Sequence, residues 1–280
     1  MHAEVAELRC PNCRHRLTGS DDSGTYRCDN NHTFDIAREG YVNLLLAQNK
    51  RSKNPGDCDI MIKSRQRFPG AGFYESLGQA LAEIISQDCE NTTFDVLDIG
   101  CGEGYYLQQL SDAPTQGNLQ LAGVDIAKTA VRLAAKRNLA AQLAVASAYD
   151  IPFFANSFDA ALSVFSPLCP METTRALKPK GTLIMVGPGA SHLNGLTDKI
   201  YTEHQPHRGN FRTVDDSKNF TLRTHLNICE EICITGTHIQ DLLAMTPYYW
   251  HTQPEQQNAL AELGQLSTTV DFDIRIYRVQ

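Results

Sequence analysis

The sequence predicts an α/β fold: a mostly parallel sheet with helices on both faces, preceded by a small metal-stapled module. Three observations predict it. From Phe73 onward, short apolar runs alternate with segments of helical period, the pattern of parallel strands joined by crossover helices. The run Val96-Leu-Asp-Ile-Gly-Cys-Gly-Glu-Gly104 carries a buried strand into a glycine-rich turn and then a helix. The spacing Cys10-x2-Cys13-x14-Cys28-x3-His32 sets four metal-binding side chains in a segment with few large aliphatics.

The elements follow in order. Residues 1–34 form a zinc-binding knuckle module. Pro11 and Asn12 suit a first tight turn, Asp29 to Asn31 a second, and Thr25 to Arg27 the strand between. Four side-chain ligands leave no open coordination position, so the zinc is structural, and below ~40 residues a fold needs such a staple. His15 lies nearby, but His32 has the better spacing; the plain alternative is reduced cysteines that merely pack. Residues 35–72 form a basic linker. Between Arg38 and Arg67 stand seven Lys and Arg against three Asp and Glu, an excess of four, so the rest of the chain carries −11 of the net −7.

Residues 73–280 hold the cofactor domain, with a core separate from the knuckle's. Tyr74 to Gln87 places Leu77, Leu81, Ile84 and Ile85 at helical spacing, and Phe94 to Asp98 is a strand. Leu119 to Asp125 is a second strand, Lys128 to Arg137 a helix, and Phe158 to Val164 and Thr182 to Val186 are buried strands.

Composition narrows the class. The 280 residues carry 25 Lys and Arg against 32 Asp and Glu, so the molecule as a whole is no basic nucleic-acid coat. No apolar run approaches the ~20 residues that span a bilayer. The opening MHAEVAELRC lacks a basic then apolar leader, and nine cysteines are an odd number for a closed disulfide set. A cytoplasmic protein without membrane contact is expected.

Gly100-x-Gly102-x-Gly104 brings bare backbone close to a ligand, while Tyr105 stands where a dinucleotide loop would need its third glycine. Asp98 ends the strand before the turn. Asp125, about 20 residues past the turn, is where a carboxylate accepts from ribose hydroxyls. With this loop, Leu121-Ala-Gly-Val-Asp125, Tyr149-Asp-Ile-Pro-Phe153 and Leu177-Lys-Pro-Lys-Gly181, the chain resembles the class I S-adenosylmethionine-dependent methyltransferases. It departs from them near Ser147 and Ala148, where their adenine-binding acidic residue is missing and Asp150 is the substitute candidate.

Phe34-Asp-Ile-Ala-Arg-Glu-Gly-Tyr-Val-Asn-Leu-Leu45, Lys50-Arg-Ser-Lys-Asn-Pro-Gly-Asp57 and Met245-Thr-Pro-Tyr248 make the resemblance specific. Together with the knuckle they resemble the bacterial 23S rRNA (guanine-N1)-methyltransferases over nearly the whole chain. The resemblance implies a Rossmann-like class I domain with a mostly parallel seven-stranded sheet. It implies transfer of a methyl group from S-adenosylmethionine to N1 of a guanine in a domain II hairpin of 23S rRNA near the peptide exit tunnel, within EC class 2.1.1, by a homodimer. It makes Cys10, Cys13, Cys28 and His32 ligands of one Zn2+, and Tyr74, Gly102, Glu103 and His192 cofactor contacts; Asp98, Gly100, Gly104 and Asp125 complete the cofactor set.

Lys50, Arg51 and Lys53 are placed to neutralise RNA phosphates. Phe34 and Tyr41 read as core rather than as base-stacking residues. No catalytic base is identifiable; Glu172 is the carboxylate nearest the fourth strand's end. The competing readings are a small-molecule methyltransferase, which has no use for the knuckle, and a non-catalytic RNA-binding protein on a relic cofactor fold.

Overall fold

A short antiparallel hairpin opens the computed structural model, which describes residues 6–19, 24–50, 52, 55–89, 93–201 and 209–280. Its strands are β1 (Thr25–Arg27) and β2 (Thr33–Asp35). The chain then gives β3 (Tyr41–Asn43), α1 (Asp59–Gly70), α2 (Glu75–Asp88), β4 (Thr93–Ile99) and α3 (Tyr105–Asp112). Next come β5 (Asn118–Asp125), α4 (Lys128–Ala135), β6 (Ala141–Val145), β7 (Phe158–Val164), α5 (Pro170–Ala176) and β8 (Leu177–Pro188). The C-terminal part holds α6 (Asn194–Ile200), α7 (Arg212–Asp215), β9 (Phe220–Thr235), α8 (His238–Ala244), α9 (Pro254–Glu262) and β10 (Gln265–Val279).

The main sheet runs β3-β6-β5-β4-β7-β8-β10-β9. The strands from β3 to β8 pair in parallel, and β10 lies antiparallel to both β8 and β9. The expected seven strands are therefore present, and β3 adds an eighth at the edge by pairing with β6. Val96, Leu97 and Ile99 of β4 are fully buried, because helices cover both faces of the sheet. Leu77, Leu81 and Ile85 form the buried stripe of α2, as their spacing predicts. Strand order reverses at β4, with β5 on one side and β7 on the other, and this leaves a crevice beyond their carboxyl ends.

Two expectations need correction. Residues 35–72 are not a linker: β3 belongs to the sheet, and Ser64 and Arg67 of α1 bond to Asp241 of α8. Of the seven basic residues there, Arg65 and Arg67 are committed to Asp57 and Asp241. Lys50 is exposed, while Arg51 and Lys53 lie outside the described residues. Nor does the knuckle have a core of its own. Leu8, Cys10, Leu17 and Cys28 belong to one buried cluster with Leu44, Ile151, Phe153 and Phe158.

Ion pairs join the same two parts, Arg14 to Asp150 at 2.6 Å and Arg9 to Asp150 at 3.3 Å. Half-exposed pairs of this kind contribute at most about 1 kcal/mol each. Truncating a buried phenylalanine such as Phe153 costs about 3–5 kcal/mol. The apolar cluster, not the charge, holds the module on the sheet.

Candidate functional site

Two hydrogen-bonded knuckles build the first constellation. The Arg14 N–H donates to the Cys10 carbonyl and the Asn31 N–H to the Cys28 carbonyl, both at 2.9 Å. Each turn carries a residue in the left-handed region, Arg14 at φ 67° and Asn31 at φ 62°. The ligand atoms of Cys10, Cys13, Cys28 and His32 lie within 4.8 Å of one another. Cys13 Sγ is 3.6 Å from Cys28 Sγ, and His32 Nδ1 is 3.4 Å from Cys28 Sγ and 3.7 Å from Cys10 Sγ. A tetrahedron with Zn–S of ~2.3 Å has edges close to these values, so the residues present fit a zinc ion. His15 faces Asp29 instead, at 3.9 Å.

The second constellation lies in the crevice, around a cavity of about 380 Å³. The turn after β4 forms its floor, with Gly100, Cys101, Gly102 and Glu103 all on the lining. Each of the three glycines meets a different demand. At Gly102, φ is +55° and a Cβ would meet nothing within 4 Å, so its open side is room for a ligand. At Gly100 a Cβ would stand 2.5 Å from that of Ser166, and at Gly104 it would stand 3.0 Å from that of Ala134. Gly104 therefore serves helix packing and does not line the cavity.

Below the turn, Asp98 is almost fully buried, and its Oδ2 has no hydrogen-bond partner among the described residues. Burial, then the neighbouring Asp125 charge, pushes its carboxyl up to about 7. Asp125 accepts from the Gly102 N–H at 3.0 Å and the Ala127 N–H at 2.7 Å, and so pins the turn without lining the cavity. An orphaned buried carboxylate oxygen beside an open glycine turn suits a cationic ligand, and S-adenosylmethionine is one.

The walls come from distant parts of the chain. Tyr74 and His192, both expected there, meet at 3.4 Å between Oη and Nε2. The Asp271 N–H donates to His192 Nδ1 at 3.1 Å, which leaves the proton on Nε2, donating to Tyr74 Oη. Glu103 lines the cavity, but its carboxylate is ion-paired with Arg137. Tyr105 and Tyr106 both line it, packed edge to face at 5.1 Å. Asp57, Ile62 and Arg65 line it too, and sequence reasoning had left them in a linker. Met245 to Tyr248, a stretch that carried the family resemblance, forms part of the same wall.

Phe165 also lines the cavity, at φ +51°, a conformation that costs a bulky residue about 1–3 kcal/mol. Two candidates point elsewhere. Asp150 is committed to Arg14 and Arg9, and Glu172 to Arg175 and the Ile151 N–H at the knuckle interface. Tyr41 is buried, as expected of a core residue, and Phe34 packs on the knuckle's cluster.

Comparison with known proteins agrees with this layout. Residues 8–53 match the zinc-ribbon family described as RlmA, N-terminal, and residues 96–181 match a methyltransferase domain family. The chain is 34% identical to a Streptomyces fradiae protein named 23S rRNA (guanine(748)-N(1))-methyltransferase, over 92% of this chain and 91% of that one. It is 32% identical to a Bacillus subtilis (strain 168) protein, YxjB, provisionally named a 23S rRNA (guanine-N(1)-)-methyltransferase, over 98% of this chain and 97% of that one. Among solved structures, the YcgJ protein from Bacillus subtilis covers 74% of this chain and 99% of its own, at 16% identity and a TM-score of 0.47.

Two outcomes follow from the geometry. Because the metal cluster and the sheet share one core, Cys28→Ser is expected to lower the unfolding midpoint of the whole chain in a single transition. Calorimetry that shows the first thirty residues melting alone, with the main transition unmoved, would sink this. For Asp98, a raised folded-state pKa means its stability contribution is complete below about pH 4 and is lost as pH climbs through about 7. A bound cation favours the carboxylate, so S-adenosylmethionine affinity should rise about eightfold between pH 6 and pH 7.5, with proton release. Titration calorimetry on the parent and on Asp98→Asn checks it; the variant should bind more weakly and lose the slope.

Proposed function

The chain belongs to the 23S rRNA (guanine-N1)-methyltransferase family, and from that premise we propose that it methylates N1 of a guanine in a domain II hairpin of 23S rRNA. It uses S-adenosylmethionine and one structural zinc. The observation that carries the rRNA reading is the shared wall. The segment that leads out of the zinc module supplies Asp57, Ile62 and Arg65 to the cavity under the glycine turn. A small-molecule methyltransferase would have no use for that continuity.

Cys10, Cys13, Cys28 and His32 hold the zinc in this reading. Tyr74, Gly100, Gly102, Glu103 and His192 border the cofactor; Asp98 faces its positive charge from below, while Gly104 and Asp125 keep the turn in shape. Bound there, S-adenosylmethionine supplies the methyl group. This chain's residues orient the acceptor and exclude water from it. The two carboxylates on the cavity lining are each ion-paired, Asp57 with Arg65 and Glu103 with Arg137, and neither is assigned as the base that takes the guanine N1 proton. The domain division 1–34, 35–72 and 73–280 serves as a functional one: a metal module, a connecting wall and a catalytic body.

A homodimer is supported by the edge strand β9, where Leu222 and Leu226 are exposed. Sedimentation equilibrium should give twice the chain mass, and Leu226→Lys should give the chain mass. An rRNA substrate, and the absence of a helix long and apolar enough to cross a membrane among the described residues, support a cytoplasmic location.

The direct test is incubation of a domain II transcript with the protein and labelled S-adenosylmethionine, followed by primer extension. Methylation of N1 blocks the pairing edge, so extension should halt at one guanine. Label transfer to small molecules alone, or cofactor binding without any transfer, would favour one of the two competing readings. If Lys50, Arg51 and Lys53 touch phosphates, changing all three to Gln should flatten the slope of log affinity against log salt by about 2–3. Cofactor affinity should stay as it was. A parental slope in the triple variant would move the RNA path off this segment.

A further inference from the structure

Phe165 leaves β7 at the point where the sheet's strand order reverses, and its backbone is held where a phenylalanine rarely goes. Three bonds hold it at φ +51°. Its N–H donates to the Val186 carbonyl of β8 at 3.0 Å. The Ser166 hydroxyl donates to the Ile99 carbonyl of β4 at 2.5 Å, and the Ser163 hydroxyl donates to the Ser166 carbonyl at 3.0 Å. Clamped between β4 and β8, the residue cannot relax to an extended conformation without breaking bonds on both sides. A strained conformation persists only where its surroundings over-determine it.

Core packing does not account for this arrangement. Phe165 lines the cavity with 39% of its surface accessible, whereas the rings it packs against, Tyr74, His192 and Phe272, are 5%, 5% and 0% exposed. Their centroids lie 6.4, 5.5 and 6.0 Å from that of Phe165. The result is an accessible aromatic ring on a rigid aromatic backing, beside the turn that borders the methyl donor. Apolar surface left accessible on the wall of the crevice suits a flat apolar ligand.

We propose that Phe165 is the platform on which the target guanine stacks, a positioning residue that fixes the plane of the base so that N1 faces the glycine turn. This rests on the rRNA reading above and deepens it. A guanine drawn out of a hairpin loses its stacked neighbours, and an aromatic ring in the site replaces them. Stacking alone does not select the base, so selection falls to polar groups around its edge.

The test uses the full-length protein, a 23S rRNA hairpin transcript that the parent methylates, and three variants. Phe165→Leu should lower kcat/KM for the transcript about 5- to 150-fold, the range that base–aromatic stacking supports. Its S-adenosylmethionine affinity should stay within about twofold of the parent's. Phe165→Tyr, which keeps the ring, should restore most of the rate. Phe165→Gly keeps the left-handed backbone without strain but removes the ring, so kcat/KM should fall at least as far as in Phe165→Leu while S-adenosylmethionine affinity stays near the parent's. Parental kcat/KM in Phe165→Leu overturns the proposal, as does cofactor affinity that falls in the same proportion as the rate. A parent that methylates no transcript overturns the rRNA reading instead.

Discussion

The turn after β4 and the loop after β7 touch at Gly100 and Ser166, where an added Cβ would come within 2.5 Å of its neighbour's. Much of the crevice depends on that contact. It admits only glycine at 100, and it brings the Ser166 hydroxyl onto the Ile99 carbonyl. Through that bond it turns Phe165 into the left-handed region. The same turn is held from the other side by Asp125, whose carboxylate accepts from Gly102 and Ala127. One close approach at the switch point thus sets the floor of the cavity and the ring on its wall.

The zinc module is tied into this arrangement rather than tethered to it. Arg14 occupies the left-handed corner of the first knuckle, a place that glycine or asparagine fills at less cost. Its side chain explains the choice, since it reaches Asp150 in the methyltransferase body at 2.6 Å. Knuckle geometry and docking therefore depend on one residue. Buried Cys10 and Cys28 sit in the cluster with Phe153 and Phe158, so the metal staples part of the body's core as well as the hairpin.

Much of this was legible in the sequence, for identifiable reasons. Strands β4, β5 and β7 read as dense apolar runs because both sheet faces are covered, and the cysteine spacing transmits metal geometry directly. Strand β6 carries Ala141, Leu143 and Ala144, with one β-branched residue at Val145, so nothing set it apart from a helix. Helix α1 hid behind Lys63, Arg65, Arg67 and an internal Pro69, a composition that reads as a basic connector. Asp150 and Glu172 lie close in sequence to the right strand ends but point at the knuckle, and spacing alone does not give direction. The positive φ of Phe165 leaves no trace in composition or period, because two of the three bonds that hold it reach residues 21 and 67 positions away.

Charge shows how one crevice can serve two ligands of opposite sign. The chain carries a net −7, which repels RNA, yet the methyl donor is a cation that needs negative charge nearby. The carboxylates on the wall, Asp57 and Glu103, are each neutralised by an arginine, so the surface an RNA meets is close to neutral. A further carboxylate, Asp98, is buried beneath the glycine turn and off the cavity lining. Burial, then the Asp125 charge, pushes that carboxyl up to about 7, and a cation bound above the turn would favour its ionised form. In the function proposed above, that charge serves the cofactor and little of it meets the nucleic acid. Asp98 would do neither from an exposed position, where its pKa would lie near 4 and its charge would be permanent.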